Sequence, residues 1–272
     1  MAEEMPVETV EQTPAYKRRP ASKRIFGVPG GELAQVFGSS GATGAKAEQV
    51  TAETLARLAE DYEDLYVFHS LHLPSTQWDI DHLVLYRGVI FLIDDKQWEY
   101  NSYYTLVDYM EENGAVSNFF CTALRDEEHF GGNVLKPRWY ESQVTQYLPD
   151  YALRSVVNVH GRGIHVEDNF ARYGFLFTAA QDFETSMRQM LDAVPEGGPS
   201  RTAQSYVVLH LQKLVNLDPA GQQPNIPFPL RDPRGGQAVA VTAAGAGVQY
   251  APPVTAPQYL SLIHISEPTR PY

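Results

Sequence analysis

The segment WDIDHLVLYRGVIFLIDDKQW, residues 78–98, constrains this chain more than any other. Two apolar runs flank Arg87-Gly88, and glycine in the second position suits a tight two-residue turn between antiparallel strands. With that turn, Tyr86 faces Val89 and Leu85 faces Ile90. Continued outward, the register sets Asp81 opposite Asp94 and Asp79 opposite Lys96. Alternation places Leu83, Leu85, Ile90, Leu92, Asp81, Asp94 and Lys96 on one face, and Ile80, Val84, Val89, Phe91 and Ile93 on the other. Both faces are apolar near the turn, the pattern of central strands covered on both sides by helices.

Two aspartates directly opposite one another repel, and burial raises the cost. A divalent ion between them is the natural remedy, because carboxylate oxygens suit Mg²⁺ or Mn²⁺. Lys96, two residues past Asp94 on the same face, adds a fixed positive charge. Two carboxylates, a metal and a lysine make a competent centre for phosphodiester hydrolysis, with Lys96 orienting a water or stabilising developing charge. The bland alternative is that polar residues end strands because strand ends meet solvent; an Asp-x-Lys triplet alone is common, and the cross-strand register is what makes it specific.

Along the chain, residues 1–43 are rich in Pro, Gly, Ser and charge and read as a flexible lead. Ala47, Val50, Leu55 and Leu58 recur at helical spacing and predict a helix over about 46–60. Residues 66–68 read as a strand, 101–107 as another, and 108–135 as polar and irregular, punctuated by Gly131-Gly132. A helix over 138–149, strands at 156–159 and 173–177, and helices at 182–193 and 200–216 complete an α/β domain over 44–217. Residues 218–259, rich in Pro, Gly, Ala and Gln, read as a linker or tail. Residues 260–272 contain LSLIHISEPTR, which resembles one reading frame of a transposon-derived sequencing adapter. That stretch, His264 included, is not expected to belong to the fold, and the natural C-terminus is expected to be missing.

Charge bears on partners. Residues 25–217 hold 13 Lys and Arg against 26 Asp and Glu, so the domain is acidic. An acidic body argues against tight nucleic-acid binding without help, which a divalent metal would supply locally. The basic run Lys17, Arg18, Arg19, Lys23 and Arg24 is read as a solvated tail before a phosphate contact. The single cysteine, Cys121, excludes a disulfide scaffold and a cysteine zinc cluster, and fits a cytoplasmic setting. No apolar run reaches the length needed to span a bilayer.

The hairpin resembles the nuclease-related domain (NERD) family, a branch of the PD-(D/E)xK nuclease superfamily. In that family a helix with a Gly-x-x-Gly-Glu-like signature precedes a strand reading Ile-Asp-His and a strand ending Ile-(Asp/Glu)-x-Lys-x-Trp. Residues 44–48 (GAKAE), 80–82 (IDH) and 93–98 (IDDKQW) stand for these, with Ala47 where glycine is usual and Gln97 where asparagine is common. The resemblance implies a restriction-endonuclease-like core, with a mixed central sheet flanked by helices. It further implies that Glu48, Asp81 and Asp94 direct a metal, that the Asp95 backbone carbonyl contributes, and that Lys96 is the catalytic lysine. Some superfamily members add Gln-x-x-x-Tyr on a later helix; Gln143 and Tyr147 fit that spacing as substrate contacts, although ordinary helix residues fit it too.

His82 reads as a packed, hydrogen-bonded histidine rather than a ligand. His160 and His165 flank a turn and make a poor metal site, and Arg162 between them reads as a solvated loop residue. No P-loop signature occurs, and Cys121 has no activating partner in sequence. Tyr100, Tyr103, Tyr104 and Tyr109 read as packing residues before base-stacking ones. The expectation is therefore Mg²⁺-dependent hydrolysis of DNA. Its rival is a non-catalytic NERD-like interaction or regulatory module of a longer protein, with a protein partner, which the acidic surface and Ala47 favour.

Overall fold

A computed structural model describes residues 20–30, 33–74, 79–98, 103–110, 116–125, 128–135, 137–161, 165–166, 175–196, 201–215 and 224–231. For residues 33–42, 103–139, 165–166 and 201–203 only the backbone is described. Residues 1–19 and 232–272, and with them most of both expected tails and the adapter-like stretch, lie outside the described residues, as does Arg162.

The hairpin forms as expected, from β3 (Asp79–Tyr86) and β4 (Val89–Gln97). Arg87 and Gly88 have φ of 45° and 82°, the left-handed pair of a type I′ turn, and Tyr86 pairs with Val89. Around it lies a six-stranded mixed sheet in the order β1-β2-β3-β4-β8-β10. The flanking strands are β1 (Ile25–Phe26), β2 (Leu65–His72), β8 (Ala152–His160) and β10 (Leu176–Ala179). β2, β3 and β4 run antiparallel to their neighbours in turn, whereas β4, β8 and β10 are parallel.

Helices cover both faces. On one, α1 (Leu33–Asp61) and α3 (Phe183–Asp192) pack Leu55, Leu58, Phe183, Met187 and Leu191 against Val84, Val89, Phe91 and Ile93. On the other, α2 (Pro137–Tyr147) and α4 (Arg201–Leu211) pack Val144, Tyr147, Val207 and Leu211 against Leu83, Leu85, Ile90 and Leu92. Each such side chain contributes about 1.5–3 kcal/mol by leaving water. Ile80 departs from the expected alternation: it packs with Leu83 and Leu85 rather than with Val84. The cause lies on β2, where Ser70 has φ of 47°, so Tyr66 and Phe68 and then Leu71 and Leu73 join one cluster, with Ile80 paired to Leu71.

The expected flexible lead is shorter than its composition suggests. β1 pairs in parallel with β2, and Arg24, 1% exposed, donates to the carbonyls of Tyr62 (2.7 Å), Leu65 (3.0 Å) and Ala59. It thereby satisfies orphan carbonyls at the C-terminal end of α1 and sets a cation against the helix dipole. Arg24 is thus a buried cap, not part of a solvated basic run. α1 itself begins at Leu33, well before the predicted start, because a packed helix propagates through the poor formers Gly38, Ser39, Ser40 and Gly41.

Residues 108–135, expected to be irregular, instead continue a second sheet in the order β7-β6-β5-β9. Its strands are β5 (Tyr103–Met110), β6 (Val116–Arg125), β7 (Glu128–Leu135) and β9 (His165–Val166). Gly131 is the extra residue of a bulge, since Thr122 pairs with Gly132 and Ala123 with Phe130. Within the expected C-terminal linker, residues 224–231 lie across α2: Leu230 is fully buried and donates its N–H to the Tyr147 carbonyl at 2.8 Å. No helix among the described residues is long and apolar enough to cross a membrane.

Candidate active site

The decisive local feature is a fork. The β3–β4 ladder runs from the turn to His82 and Ile93 and stops there. Beyond that pair, β3 stays with β2 out to Asp79, while β4 stays with β8 out to Gln97. Asp81 and Asp94 are therefore not ladder partners, nor are Asp79 and Lys96, as the ideal hairpin register required. They flank an opening cleft lined by Asp79, Ile80, Asp81, Asp94, Tyr140 and Ser155, among others.

Asp81 crosses the fork with its side chain: its Oδ2 accepts the main-chain N–H of Asp95 at 2.7 Å. Burial, then the charges of Asp94 and Glu48, push its carboxyl well above the usual range, against the pull of Lys96. Lys96 Nζ lies 2.5 Å from Asp94 Oδ1, both side chains partly exposed. Burial disfavours the ammonium, but Asp94 and Asp81 outweigh it and raise the lysine above its ordinary value. Lys96 is thus held as a cation and is no general base at neutral pH.

Glu48 is 3% exposed and does not line the cleft. Its Oε2 accepts the N–H of Gly30 at 2.8 Å. Gly30 is needed there: its φ is 78°, and a Cβ would sit 2.7 Å from the Ala45 Cβ. Burial raises the Glu48 carboxyl, against that hydrogen bond and the charge of His82. Gly44 of the family-like signature has open space around it.

The Asp95 side chain points to the α1 face, so its carboxylate is not a cleft group. It is fully buried and bonded to His82 Nε2 (2.9 Å), His160 Nε2 (2.8 Å), Thr51 Oγ1 (2.6 Å) and Asn158 Nδ2 (2.9 Å). His82 is thus a satisfied core histidine, as its position suggested. Its Nδ1 lies 2.7 Å from Nδ1 of His69, which burial and then His82 lower to about 3.

Of the Gln-x-x-x-Tyr pair, Gln143 is half-buried and does not line the cleft. Tyr147 is 1% exposed within the core, its ring centre 5.9 Å from that of Phe228, and its hydroxyl has no partner among the described residues. It is a core residue rather than a substrate contact, because the chain at 226–230 closes over it. The group that α2 does present is Tyr140, which sequence reasoning missed; its spacing of four and seven from Val144 and Tyr147 marks it as inward-facing. Burial, and then Asp94, raise its phenol to about 12, so it remains a donor at neutral pH.

The donors suit a hard cation in kind: Asp81 and Asp94 face a cleft in which negative charge raises Asp81. As placed, they are engaged by Lys96 and by the Asp95 N–H. Among the described residues no three His, Cys, Asp or Glu side chains form a ready-made metal cluster.

A comparison with family models bears on this segment. Residues 43–157 match the nuclease-related domain, NERD. The NERD segment runs from within α1 into β8 and includes Glu48, Asp81, Asp94, Lys96 and Tyr140. β1, β10, α3 and α4 lie outside it. The match carries a nuclease-related function and suggests nucleic-acid binding. No curated protein and no solved structure matches the chain.

Proposed function

We propose that the cleft at the β3–β4 fork hydrolyses phosphodiester bonds of DNA with the aid of Mg²⁺ or Mn²⁺. The observation that carries this reading is that Asp81 and Asp94 line one cleft at the fork, with the Lys96 amine in contact with Asp94, inside the segment that matches NERD. Asp81 and Asp94 would hold the ion, with the Asp95 carbonyl and Glu48 as further candidates. When bound, the ion supplies charge that polarises a phosphate oxygen and a nucleophilic water.

The protein's own groups have distinct work. Lys96, held protonated, sits where it stabilises the negative charge that grows on the phosphate in the transition state. Asp94 keeps the amine at the cleft through their 2.5 Å contact. Tyr140 offers a neutral hydroxyl to a phosphate oxygen or to a water. Asp81, crowded by negative charge, gains most from a cation.

The second reading, a non-catalytic NERD-like module, draws support from the engagement of the cleft carboxylates within the chain: Asp81 accepts the Asp95 N–H and Asp94 pairs with Lys96. The test is cleavage of plasmid and linear DNA by the purified chain with Mg²⁺ or Mn²⁺. Cleavage by the wild type that Lys96→Ala reduces by about 100-fold or more, with an unchanged circular-dichroism spectrum, supports the hydrolytic reading. Absence of cleavage, together with no cation-dependent change at Asp81 in NMR spectra, supports the module.

A further inference from the structure

Asp95 stands between Asp94 and Lys96, yet the hydrolytic reading makes no use of its side chain. That side chain continues the face of Phe91 and Ile93, where an apolar residue would be the cheaper choice. A buried carboxylate costs several kcal/mol unless its surroundings compensate it. Here they do: donors arrive from α1 (Thr51), β3 (His82) and β8 (Asn158 and His160). The shared carboxylate also draws these donors together, with Asn158 Nδ2 donating to Thr51 Oγ1 at 2.9 Å.

Its place in the fold gives the arrangement a purpose. The β3–β4 ladder ends at His82 and Ile93. Past that point two bonds through Asp95 replace it. On the cleft side its main-chain N–H holds Asp81; on the α1 side its carboxylate holds His82. One residue of β4 thus grips two consecutive residues of β3 from opposite faces. We infer that Asp95 is a positioning residue, a two-sided clamp that sets where β3 parts from β4 and therefore how Asp81 stands toward Asp94 and Lys96. The consequence for hydrolysis rests on the reading above; the clamp itself does not.

The test separates the two. Amide hydrogen exchange is followed by NMR in the full chain for wild type and Asp95→Ala. The clamp predicts that the amide of residue 95 exchanges at least about tenfold faster, while ladder amides near the turn keep their protection. If the wild type cuts DNA, kcat for Asp95→Ala also falls about tenfold or more with KM little changed. Unchanged protection at residue 95, or uniform loss at every ladder amide, overturns the clamp. Should Asp95→Ala fail to fold, His82→Ala removes one arm, leaves the carboxylate its other donors, and predicts the same selective opening. A wild type that cuts no DNA defeats the hydrolytic reading, and the exchange data still decide the clamp.

Discussion

Asp94 and Asp95 are neighbours in the chain and inhabit opposite worlds. Asp95 faces α1, fully buried, with every bond directed at it from a fixed donor. Although burial alone would raise its carboxyl, His160 and His82 outweigh that and hold it below the usual range. Asp94 faces the cleft, partly open to water, with Lys96 as its partner and Asp81 as an uncomfortable neighbour. The α1 side is therefore electrostatically complete, while the cleft side sets Asp81 and Asp94 against the ammonium of Lys96. The lesson is that strand alternation builds a rigid support and a reactive surface from consecutive residues.

Breaking the complete side has the largest expected effect on stability. Asp95→Ala leaves several buried donors without their acceptor and lowers unfolding free energy by about 3 kcal/mol, read by chemical denaturation. A loss below about 1 kcal/mol would mean that water or rearrangement replaces the carboxylate.

Relieving the incomplete side has a smaller effect of opposite sign. Asp81→Asn stabilises the apo protein by about 1 kcal/mol at neutral pH by removing a charge that burial first, and Asp94 and Glu48 next, disfavour. The pH dependence follows from the direction of the shift. Asp81 is raised in the fold, so its contribution to stability is present below its unfolded value of about 3.9 and is lost as pH rises through the folded value. The advantage of Asp81→Asn over wild type therefore grows as pH rises from acid to neutral, in thermal melts without metal. Asp95 runs the other way: its lowered carboxyl stabilises above the unfolded value and loses that contribution as pH falls below it. Adding Mg²⁺ sharpens the contrast further, since it raises the melting temperature of wild type more than that of Asp81→Asn.

Tyr140→Phe tests the wall of the cleft. Loss of one hydroxyl donor is expected to reduce cleavage about tenfold, measured by turnover. The smallest effect belongs to Tyr147→Phe. Its hydroxyl has no partner among the described residues, so removing it leaves cleavage unchanged and stability equal or higher by a few tenths of a kcal/mol, about the scale of a buried polar group relieved. A marked loss of cleavage in Tyr147→Phe would restore the substrate role that its burial argues against.

Much of this was legible from local pattern. The Arg87-Gly88 turn, the double-faced apolar strands and the α/β order all follow from short-range rules, and Asp81, Asp94 and Lys96 were found by counting from the turn. The fork was not legible, because an ideal hairpin register continues until something outside it intervenes. Here β8 holds β4 and β2 holds β3. Nor was the Asp95 network legible: Thr51, His69, Asn158 and His160 are scattered in sequence, and no spacing rule joins them. Arg24 hid in a basic run because its carbonyl partners lie 35 to 41 residues away. The β6–β7 pair hid behind Gly131-Gly132, read as punctuation where the chain uses a bulge.

By itself, then, the order of residues determined the turn, the two-sided hydrophobic strands and the trio of charged groups at their far end, since neighbours a few positions apart settle these through backbone sterics and alternation. Tertiary structure alone decided that β3 and β4 separate at His82 and Ile93, that Asp95 turns inward to two imidazoles, and that α2 brings Tyr140 rather than Tyr147 to the cleft. Those outcomes depend on competition among distant strands and helices for the same backbone and side-chain hydrogen bonds, and that competition exists only once the chain has packed.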